Sequence, residues 1–161
     1  MLADALAALP PPPRDRGTVA MVVVRPSTGL RETPAAVELT VEGGVAGDRW
    51  ALGSRDPRAQ VTLMRIDVAR LFAEDVAAFG DNLFVDLDLA LPAGTRLVVG
   101  AAVLEVTDKP HTGCRKFAER AGDEALALTR AVPDRVLRGI HARVIVPGRV
   151  AVGDPVVISG R

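Results

Sequence analysis

The chain has 161 residues, with 20 Lys plus Arg against 20 Asp plus Glu, so its formal net charge is zero. A chain of this length is expected to form one domain around one core. The zero net charge argues against a general nucleic-acid binder, which needs excess cations to neutralise phosphates. The chain also has no Tyr, one Trp and four Phe, which leaves little aromatic surface for stacking bases. We therefore expect no nucleic-acid partner.

The cysteine count and the hydropathy pattern limit the cellular compartments in which the protein is expected. A single Cys excludes an internal disulfide framework and any multi-cysteine metal site. No apolar run approaches the roughly 20 residues that span a bilayer, and residues 1–9 lack the basic segment of a signal peptide. We therefore expect a cytoplasmic protein without a membrane partner.

The first predicted element is a short helix over residues 2–9. Prolines at 10–13 end it, because Pro lacks an amide donor and fixes φ, so residues 1–16 are predicted to form an arm ahead of a domain at 17–161. Short Val-rich runs bounded by Gly and Pro then predict strands. These runs are 18–24, 35–41, 60–64, 95–100, 102–107, 142–146 and 155–159.

Two similar passages, 91–106 and 146–158, each contain a Pro turn, a strand ending in Val-Gly and another strand. This pattern predicts paired hairpin-like units in a small closed sheet. Helical spacing of apolar residues appears at 65–79, where the apolar stripe should face the barrel, and at 116–128. A further turn is possible at 135–138. The predicted fold class is mainly β, a closed or partly open β-barrel with two or three packed helices.

The lone cysteine, Cys114, lies in a polar loop rich in cations. Lys109, His111, Arg115 and Lys116 all fall within five residues of it, and the predicted helix begins close behind it. Neighbouring cations and a helix N-terminus both favour the thiolate. A single free Cys is more often a small buried hydrophobe, but this polar segment offers no apolar site to fill. The pattern therefore predicts a reactive or metal-ligating thiolate.

Three other segments are weaker candidates for binding residues. In the GVAGDRW turn, Arg49 could bind a ligand, or Asp48 could simply cap backbone donors. In GDNL, Asn82 could bind a ligand or belong to a helix C-cap and turn. In GIHARV, His141 and Arg143 share one face of a predicted strand by period-two alternation, where exposed charges are more often only solvated.

Taken in order, GGVAGDRW, QVTLM, GDNLFVDLDLALPAGTRLVVGAAVLEVT, KPHTGCRKF and GIHARVIVPGRVAVGDPVVI resemble the MOSC domain, named after the C-terminal part of molybdenum cofactor sulfurases. The resemblance covers about residues 18–159. It implies a β-barrel and the pterin-based molybdenum cofactor, molybdopterin. The family cysteine, which ligates molybdenum or carries sulfur, corresponds to Cys114. The G-D-R turn corresponds to residues 47–49 and the E/D-N-L segment to residues 81–83.

The sequence departs from the family pattern at three points. Gly113 stands before the cysteine where the family commonly has Pro, and Trp50 stands after the G-D-R turn where many members have His. The chain also has no long N-terminal extension of the kind that shapes the substrate site in larger relatives. A second subunit could supply that surface, so a homodimer is a possible assembly.

The resemblance also implies roles for individual residues. Molybdopterin brings dithiolene sulfurs, a phosphate and a flat heterocycle, which need a soft thiolate, cations and amide groups. Cys114 is expected to be both the metal ligand and the catalytic residue. The residues expected to bind the rest of the cofactor are Arg49, Asp81, Asn82, His111, Arg115, Lys116 and Arg143.

Three functions remain open at this stage. The first is a molybdenum-cofactor-dependent oxidoreductase that reduces small N-hydroxylated compounds with electrons from an unidentified donor. The second is a sulfur carrier that holds a persulfide on Cys114, loaded by a sulfur-donor protein. The third is a non-enzymatic module that binds or stores the cofactor. On electrostatic grounds, replacing Arg115 by Ala is expected to raise the pKa of the thiol.

Overall fold

The computed structural model of the protein describes residues 1–112 and 114–160. Gly113, one of the departures from the family pattern, and Arg161, the end of the predicted domain, lie outside the described residues.

In those ranges the chain forms ten strands, four α-helices and four short 3-10 helices. The strands are β1 (Arg16–Val22), β2 (Ala36–Thr40), β3 (Gly44–Val45), β4 (Val61–Arg65), β5 (Leu83–Asp86), β6 (Arg96–Val99), β7 (Ala102–Val106), β8 (Ile140–Val146), β9 (Gly148–Ala151) and β10 (Pro155–Gly160). The α-helices are α1 (Leu2–Ala8), α2 (Ile66–Phe72), α3 (Arg115–Ala121) and α4 (Asp123–Ala131). The 3-10 helices are Arg49–Leu52, Pro57–Ala59, Val76–Phe79 and Pro133–Arg135.

Seven strands close into a barrel in the order β1-β10-β6-β7-β8-β4-β5. Neighbouring strands are antiparallel except β4 and β5, which are parallel because α2 lies in the connection between them. Aliphatic side chains such as Leu63, Leu97 and Leu104 fill the interior and are fully buried. Burying each such side chain contributes about 2 kcal/mol. The predicted mainly β barrel with packed helices is confirmed.

The two similar sequence passages form different structures. The 91–106 passage contains the predicted hairpin, in which β6 pairs antiparallel with β7 and Leu97 lies opposite Leu104. The 146–158 passage is not a hairpin, so that prediction is wrong. Its first strand, β9, pairs with β2 in a separate three-stranded sheet, whereas β10 pairs with β1 and β6 in the barrel. The chain changes sheets at the turn between them, where the amide of Val152 donates to the carbonyl of Ala35.

The helices pack on the outside of the barrel and are shorter than predicted. The helix expected at 65–79 divides into α2 and the 3-10 helix at 76–79, and its apolar stripe is buried. The helix expected at 116–128 divides at Gly122, whose φ of +94° ends α3. The turn expected at 135–138 lies earlier, at Pro133–Arg135.

Aromatic side chains join the outer helices. The ring of Phe72 meets the ring of Phe117 edge-on, with centroids 5.9 Å apart. The ring of Phe79 stacks on the ring of Phe117, with centroids 5.4 Å apart. The N-terminal helix α1 also packs here, with Leu6 buried and the amide of Leu2 donating to a carboxylate oxygen of Glu124 on α4. Within the described part of the chain, no helix has both the length and the apolarity needed to cross a bilayer.

Candidate functional site

Polar residues are concentrated where three adjacent barrel strands, β5, β4 and β8, lie side by side. Asp81 and Asn82 immediately precede β5, and Arg138 lies two residues before the start of β8. Thr62 of β4 lies opposite His141 of β8 in the strand register. A strand interior fixes backbone positions well, so side chains attached here are held in defined places.

Two cavities open beside these strands. The first, here called the histidine cavity, has a volume of about 410 Å³. Its polar lining includes Lys109, His111, Thr112, Arg138 and His141, and its apolar lining is Leu91, Val106, Pro110, Pro133, Val136, Leu137 and Ile140. This size and this mixture of a mainly apolar wall with a few polar groups are typical of small-molecule sites.

The carboxylate of Asp81 organises one wall of the histidine cavity. The side chain is fully buried, and its two oxygens lie 2.7 Å from Nε2 of His111 and 2.6 Å from a guanidinium nitrogen of Arg138. Burial disfavours the charged carboxylate, but the charges of Arg138 and His111 and their hydrogen bonds hold the pKa of Asp81 well below its usual range. Asp81 is therefore an anion that fixes two cavity-lining side chains.

His141 lies against His111 but has a different environment. The two ring centroids are 4.4 Å apart, and Nδ1 of His141 is buried with no hydrogen-bond partner among the described residues. Burial, together with the positive charge of a protonated His111, lowers the pKa of His141 to about 3. His141 is therefore neutral at physiological pH and presents a flat, uncharged ring.

Gly139 allows β8 to approach β4 at this point. Its φ is +113°, and a Cβ there would lie 2.1 Å from the carbonyl oxygen of Leu63. It would also lie 3.3 Å from the His111 ring. A side chain is therefore excluded, and the residues on either side of Gly139 are held close to β4.

The second cavity, here called the arginine cavity, has a volume of about 570 Å³. Its lining includes Arg25, Thr28, Arg49, Trp50 and His141. His141 therefore borders both cavities. Arg49 donates a hydrogen bond to the hydroxyl of Thr28 at 3.1 Å, and its guanidinium lies on the surface. Two arginines, Arg25 and Arg49, therefore line this cavity.

A second buried carboxylate, Asp48, bonds two residues that line the arginine cavity, Arg25 and Trp50. Its oxygens accept from two side-chain nitrogens of Arg25, Nε at 3.0 Å and Nη2 at 2.8 Å, and from the amide of Trp50 at 3.1 Å. They also accept from the side-chain amide of Asn82 at 3.2 Å. Burial raises the pKa of Asp48, but hydrogen bonds and the charge of Arg25 outweigh it, so the net pKa is lowered.

Cys114 is exposed and forms the N-cap of α3. The backbone N–H groups of Phe117 and Lys116 face the thiol, and their effect, with the charges of Arg138 and Arg120, lowers its pKa despite partial burial. The pKa is shifted in the direction expected from the sequence, but the cations that contribute, Arg138 and Arg120, are not those expected. Arg115 points to solvent, where its guanidinium lies 3.7 Å from Glu119.

The structure brings together only part of the predicted binding set. Arg49 lines the arginine cavity and His111 lines the histidine cavity. Asp81 and Asn82 are buried behind the cavity walls, where Asn82 also bonds Thr62 and the carbonyl of Val23. For these four residues cofactor binding stays a prediction.

The remaining predicted residues point elsewhere. The side chains of Arg115 and Lys116 are exposed, and only the backbone amide of Lys116 acts on the thiol. Arg143 shares the outer face of β8 with His141 but pairs with Glu105 at 2.7 Å and lines a different cavity. Their cofactor-binding roles also stay predictions.

Sequence reasoning missed three arginines that the structure places near the site. Arg25 binds Asp48, Arg138 binds Asp81, and Arg31 has a buried Nε with no partner among the described residues. Burial and the charges of Arg120, Arg25 and Arg49 lower the pKa of Arg31, which indicates a crowded group of cations. The only sequence signal was Gly139, which directly follows Arg138 and marks a close backbone approach.

Comparison with known proteins is consistent with this architecture. A sequence model of the MOSC domain matches residues 64–157, and the chain belongs to the MOSC domain family. The solved structure of YuaD from Bacillus subtilis is similar, with a TM-score of 0.67 at 18% identity over 91% of this chain and 97% of that one.

Two further solved structures share the fold. YiiM from Geobacillus stearothermophilus superposes with a TM-score of 0.64 at 18% identity over 90% of this chain and 76% of that one. YiiM from Escherichia coli superposes with a TM-score of 0.61 at 22% identity over 91% and 70%. A search of curated proteins found no match.

Proposed function

We propose that this chain binds molybdopterin through Cys114 and reduces small N-hydroxylated compounds. The observation that carries the proposal is an exposed thiol whose pKa is lowered. One of the charges that lower this pKa belongs to Arg138, which lines the histidine cavity. The thiolate is the form of cysteine that ligates metals, and a soft thiolate suits the molybdenum of such a cofactor. Membership of the MOSC domain family points to the same cofactor.

The residues present fit the parts of this cofactor. Cys114 supplies the thiolate, and the arginine cavity offers Arg49 and Arg25 to a phosphate, since guanidinium groups recognise phosphate well. The buried Nδ1 of His141, without a partner among the described residues, is a polar atom that a bound ligand could satisfy. These residues would hold the cofactor, which when bound supplies a two-electron redox centre.

The overall reaction consumes two electrons and two protons. An N-hydroxylated compound R–NH–OH takes up two electrons and two protons; its N–O bond breaks, and R–NH2 and water are released. Two equivalents of a reduced one-electron carrier protein supply the electrons. The apolar part of the histidine cavity would hold R, and its polar wall would orient the N–OH group toward the side on which Cys114 lies.

Metal analysis tests the proposal directly. Protein expressed in a host that makes molybdenum cofactor should contain about one molybdenum per chain, and Cys114→Ser should contain almost none. The matched control combines Cys114→Ser with Val152→Cys, which places an exposed thiol in the β9–β10 turn and should not restore the metal. Wild-type protein that reduces no N-hydroxylated amidine with reduced methyl viologen would contradict the reaction.

A sulfur-carrier function is the second candidate, because an exposed thiolate is also what persulfide transfer requires. In that step the Cys114 thiolate takes the outer sulfur of a donor persulfide, forming a protein persulfide and releasing the donor thiol. Cyanide-labile sulfur on wild-type protein, lost in Cys114→Ser and present without molybdenum, would favour this function. Stoichiometric molybdenum without turnover would favour a storage role instead.

The location and assembly follow as proposals. A thiolate that must stay reduced is best preserved in a reducing compartment, so we retain the cytoplasm as the proposed location. A protein that supplies electrons, or sulfur under the second candidate, is the expected partner, and a homodimer remains an expectation for native mass measurement.

A further inference from the structure

His111 and Asp81 form a hydrogen-bonded pair at the wall of the histidine cavity. Nε2 of His111 lies 2.7 Å from a carboxylate oxygen of Asp81. Because Asp81 is ionised, it can only accept a hydrogen bond, so Nε2 must carry the proton. This fixes the tautomer of the neutral ring and leaves Nδ1 as the nitrogen available to a ligand.

The charged and titratable groups around His111 come from several elements, and Arg130 of α4 also lines the histidine cavity. Asp81 precedes β5, Arg138 precedes β8, His141 lies on β8, and Lys109 lies in the same loop as His111. The positive charge of Arg138 is paired with Asp81 at 2.6 Å, and that of Lys109 is paired with Asp56 at 2.7 Å. A protonated His111 would therefore share the carboxylate of Asp81 with Arg138, one oxygen facing each of them.

His141 lacks every feature that suits a proton donor. Among the described residues no carboxylate pairs with either of its ring nitrogens, and its buried Nδ1 has no hydrogen-bond partner. The two rings lie in contact, so only one of them can carry a positive charge at low cost. The pair is thus asymmetric, with one ring that can be charged beside one that stays neutral.

We propose that His111 is the proton donor for N–O bond reduction, with Asp81 and Arg138 as its positioning residues. The inference rests on the proposed function. Protonated His111 would give its Nδ1 proton to the leaving oxygen as the N–O bond breaks, while two electrons arrive from the reduced carrier protein. Solvent supplies the second proton, to nitrogen, and afterwards reprotonates the neutral ring.

The first test uses the protein without cofactor. The chain has only two His residues, so imidazole nitrogen shifts in ¹⁵N-histidine-labelled protein can be assigned with the His111→Gln variant. We expect His111 to be protonated at Nε2 when neutral, and Asp81→Asn to remove this preference. A neutral His111 protonated at Nδ1 in the wild-type protein would overturn the proposal.

The second test uses molybdenum-loaded protein. We expect His111→Gln to keep its molybdenum and its thiol alkylation rate but to lose about 10²- to 10⁴-fold in kcat. In His111→Ala, added imidazole should restore part of the lost kcat, which no purely structural role would produce. Unchanged kcat, or absence of rescue in a folded variant, would overturn the proposal.

Two outcomes distinguish a failure of the proposed role of His111 from a failure of the proposed function. Wild-type protein without molybdenum would overturn the proposed function, and this step with it. Wild-type protein with molybdenum and turnover, but with molybdenum lost in His111→Gln, would leave the function intact and assign His111 to cofactor binding instead.

Discussion

Two buried carboxylates in this protein have the same charge and nearly the same burial but different partners. Asp48 accepts from Arg25, from the backbone amide of Trp50 and from Asn82, so it ties together two loops and the start of β5. Asp81 accepts from His111 and Arg138, which both line the histidine cavity. The first carboxylate stabilises the wall of a cavity, whereas the second orients side chains that a ligand can reach.

The largest expected effect is on stability at Asp48. Asp48→Asn places an NH2 group among the N–H donors of Arg25, Trp50 and Asn82, and removes the charge that pairs a guanidinium only 16% exposed. Breaking a buried pair of this kind costs about 3–5 kcal/mol, which urea unfolding would measure.

Asp81→Asn is the matched variant for that comparison. We expect it to cost less stability than Asp48→Asn, because the neutral His111 ring can be retained without a carboxylate partner and Arg138 still lies over the Phe117 ring at 5.2 Å. An equal or larger loss of stability for Asp81→Asn would contradict the division between a structural and a functional carboxylate.

A pair of glycines tests the same two regions through the backbone. Gly139→Ala, at the histidine cavity, combines an unfavourable φ of +113° with a Cβ 2.1 Å from the carbonyl oxygen of Leu63. Strain and overpacking together should cost about 2–4 kcal/mol. Gly47→Ala, beside Asp48, has a φ of +82° but a nearest neighbour 3.6 Å away, so it should cost only about 1–2 kcal/mol.

Thermal unfolding of the two glycine variants would measure their stabilities, and the imidazole nitrogen shifts of His111 would report changes in its environment. We expect Gly139→Ala to perturb both the stability and the His111 environment, and Gly47→Ala to leave the His111 signals in place. Similar stabilities for the two variants would mean that β8 can move away from β4 without cost.

The barrel could be predicted from the sequence because its signals are local. Short Val-rich runs between Gly and Pro mark strands, and most of them correspond to observed strands. The pairing of β9 with β2 could not be predicted, because strand partners depend on long-range packing that a repeated local pattern does not encode. Strand β5 is not predicted because its first residue, Leu83, belongs to the GDNL segment, whose pattern also fits a helix C-cap and turn.

The site was only partly predictable for a similar reason. Cys114 stood out because cations cluster around it in sequence, yet Arg115 points away and Arg138, 24 positions later in the chain, acts on the thiol. Side-chain direction at a helix start and contacts across the fold decide this. His111 was predicted as a site residue, but its carboxylate partner Asp81 could be recognised only in three dimensions.

The contrast between the two histidines predicts a pH effect of intermediate size. The pKa of His141 is lowered from 6.5 to about 3 in the folded protein, so the unfolded chain binds a proton that the folded protein does not. Stability should therefore fall as pH decreases from 6.5 toward 3, by at most about 1.4 kcal/mol per pH unit. His141→Gln should remove this contribution.

Unfolding of wild type and His141→Gln at pH 6.5 and at pH 5 would measure the difference, over a range where most carboxylates stay ionised. We expect the variant to gain relative stability on acidification. A constant difference between the two proteins would show that His141 can be protonated in the folded state.

The smallest expected effect separates two arginines on the same short helix, α3. The charge of Arg120 contributes to lowering the pKa of the Cys114 thiol, whereas Arg115 is paired with Glu119 and directed into solvent. Arg120→Gln should therefore raise the thiol pKa, and Arg115→Gln is the matched control with a smaller effect.

Both should change stability by no more than about 0.5 kcal/mol, because both side chains are exposed. The rate of iodoacetamide alkylation as a function of pH reports the thiolate fraction directly. If Arg115→Gln raised the pKa more than Arg120→Gln, proximity in sequence rather than the folded arrangement of cations would set the charge state of this thiol.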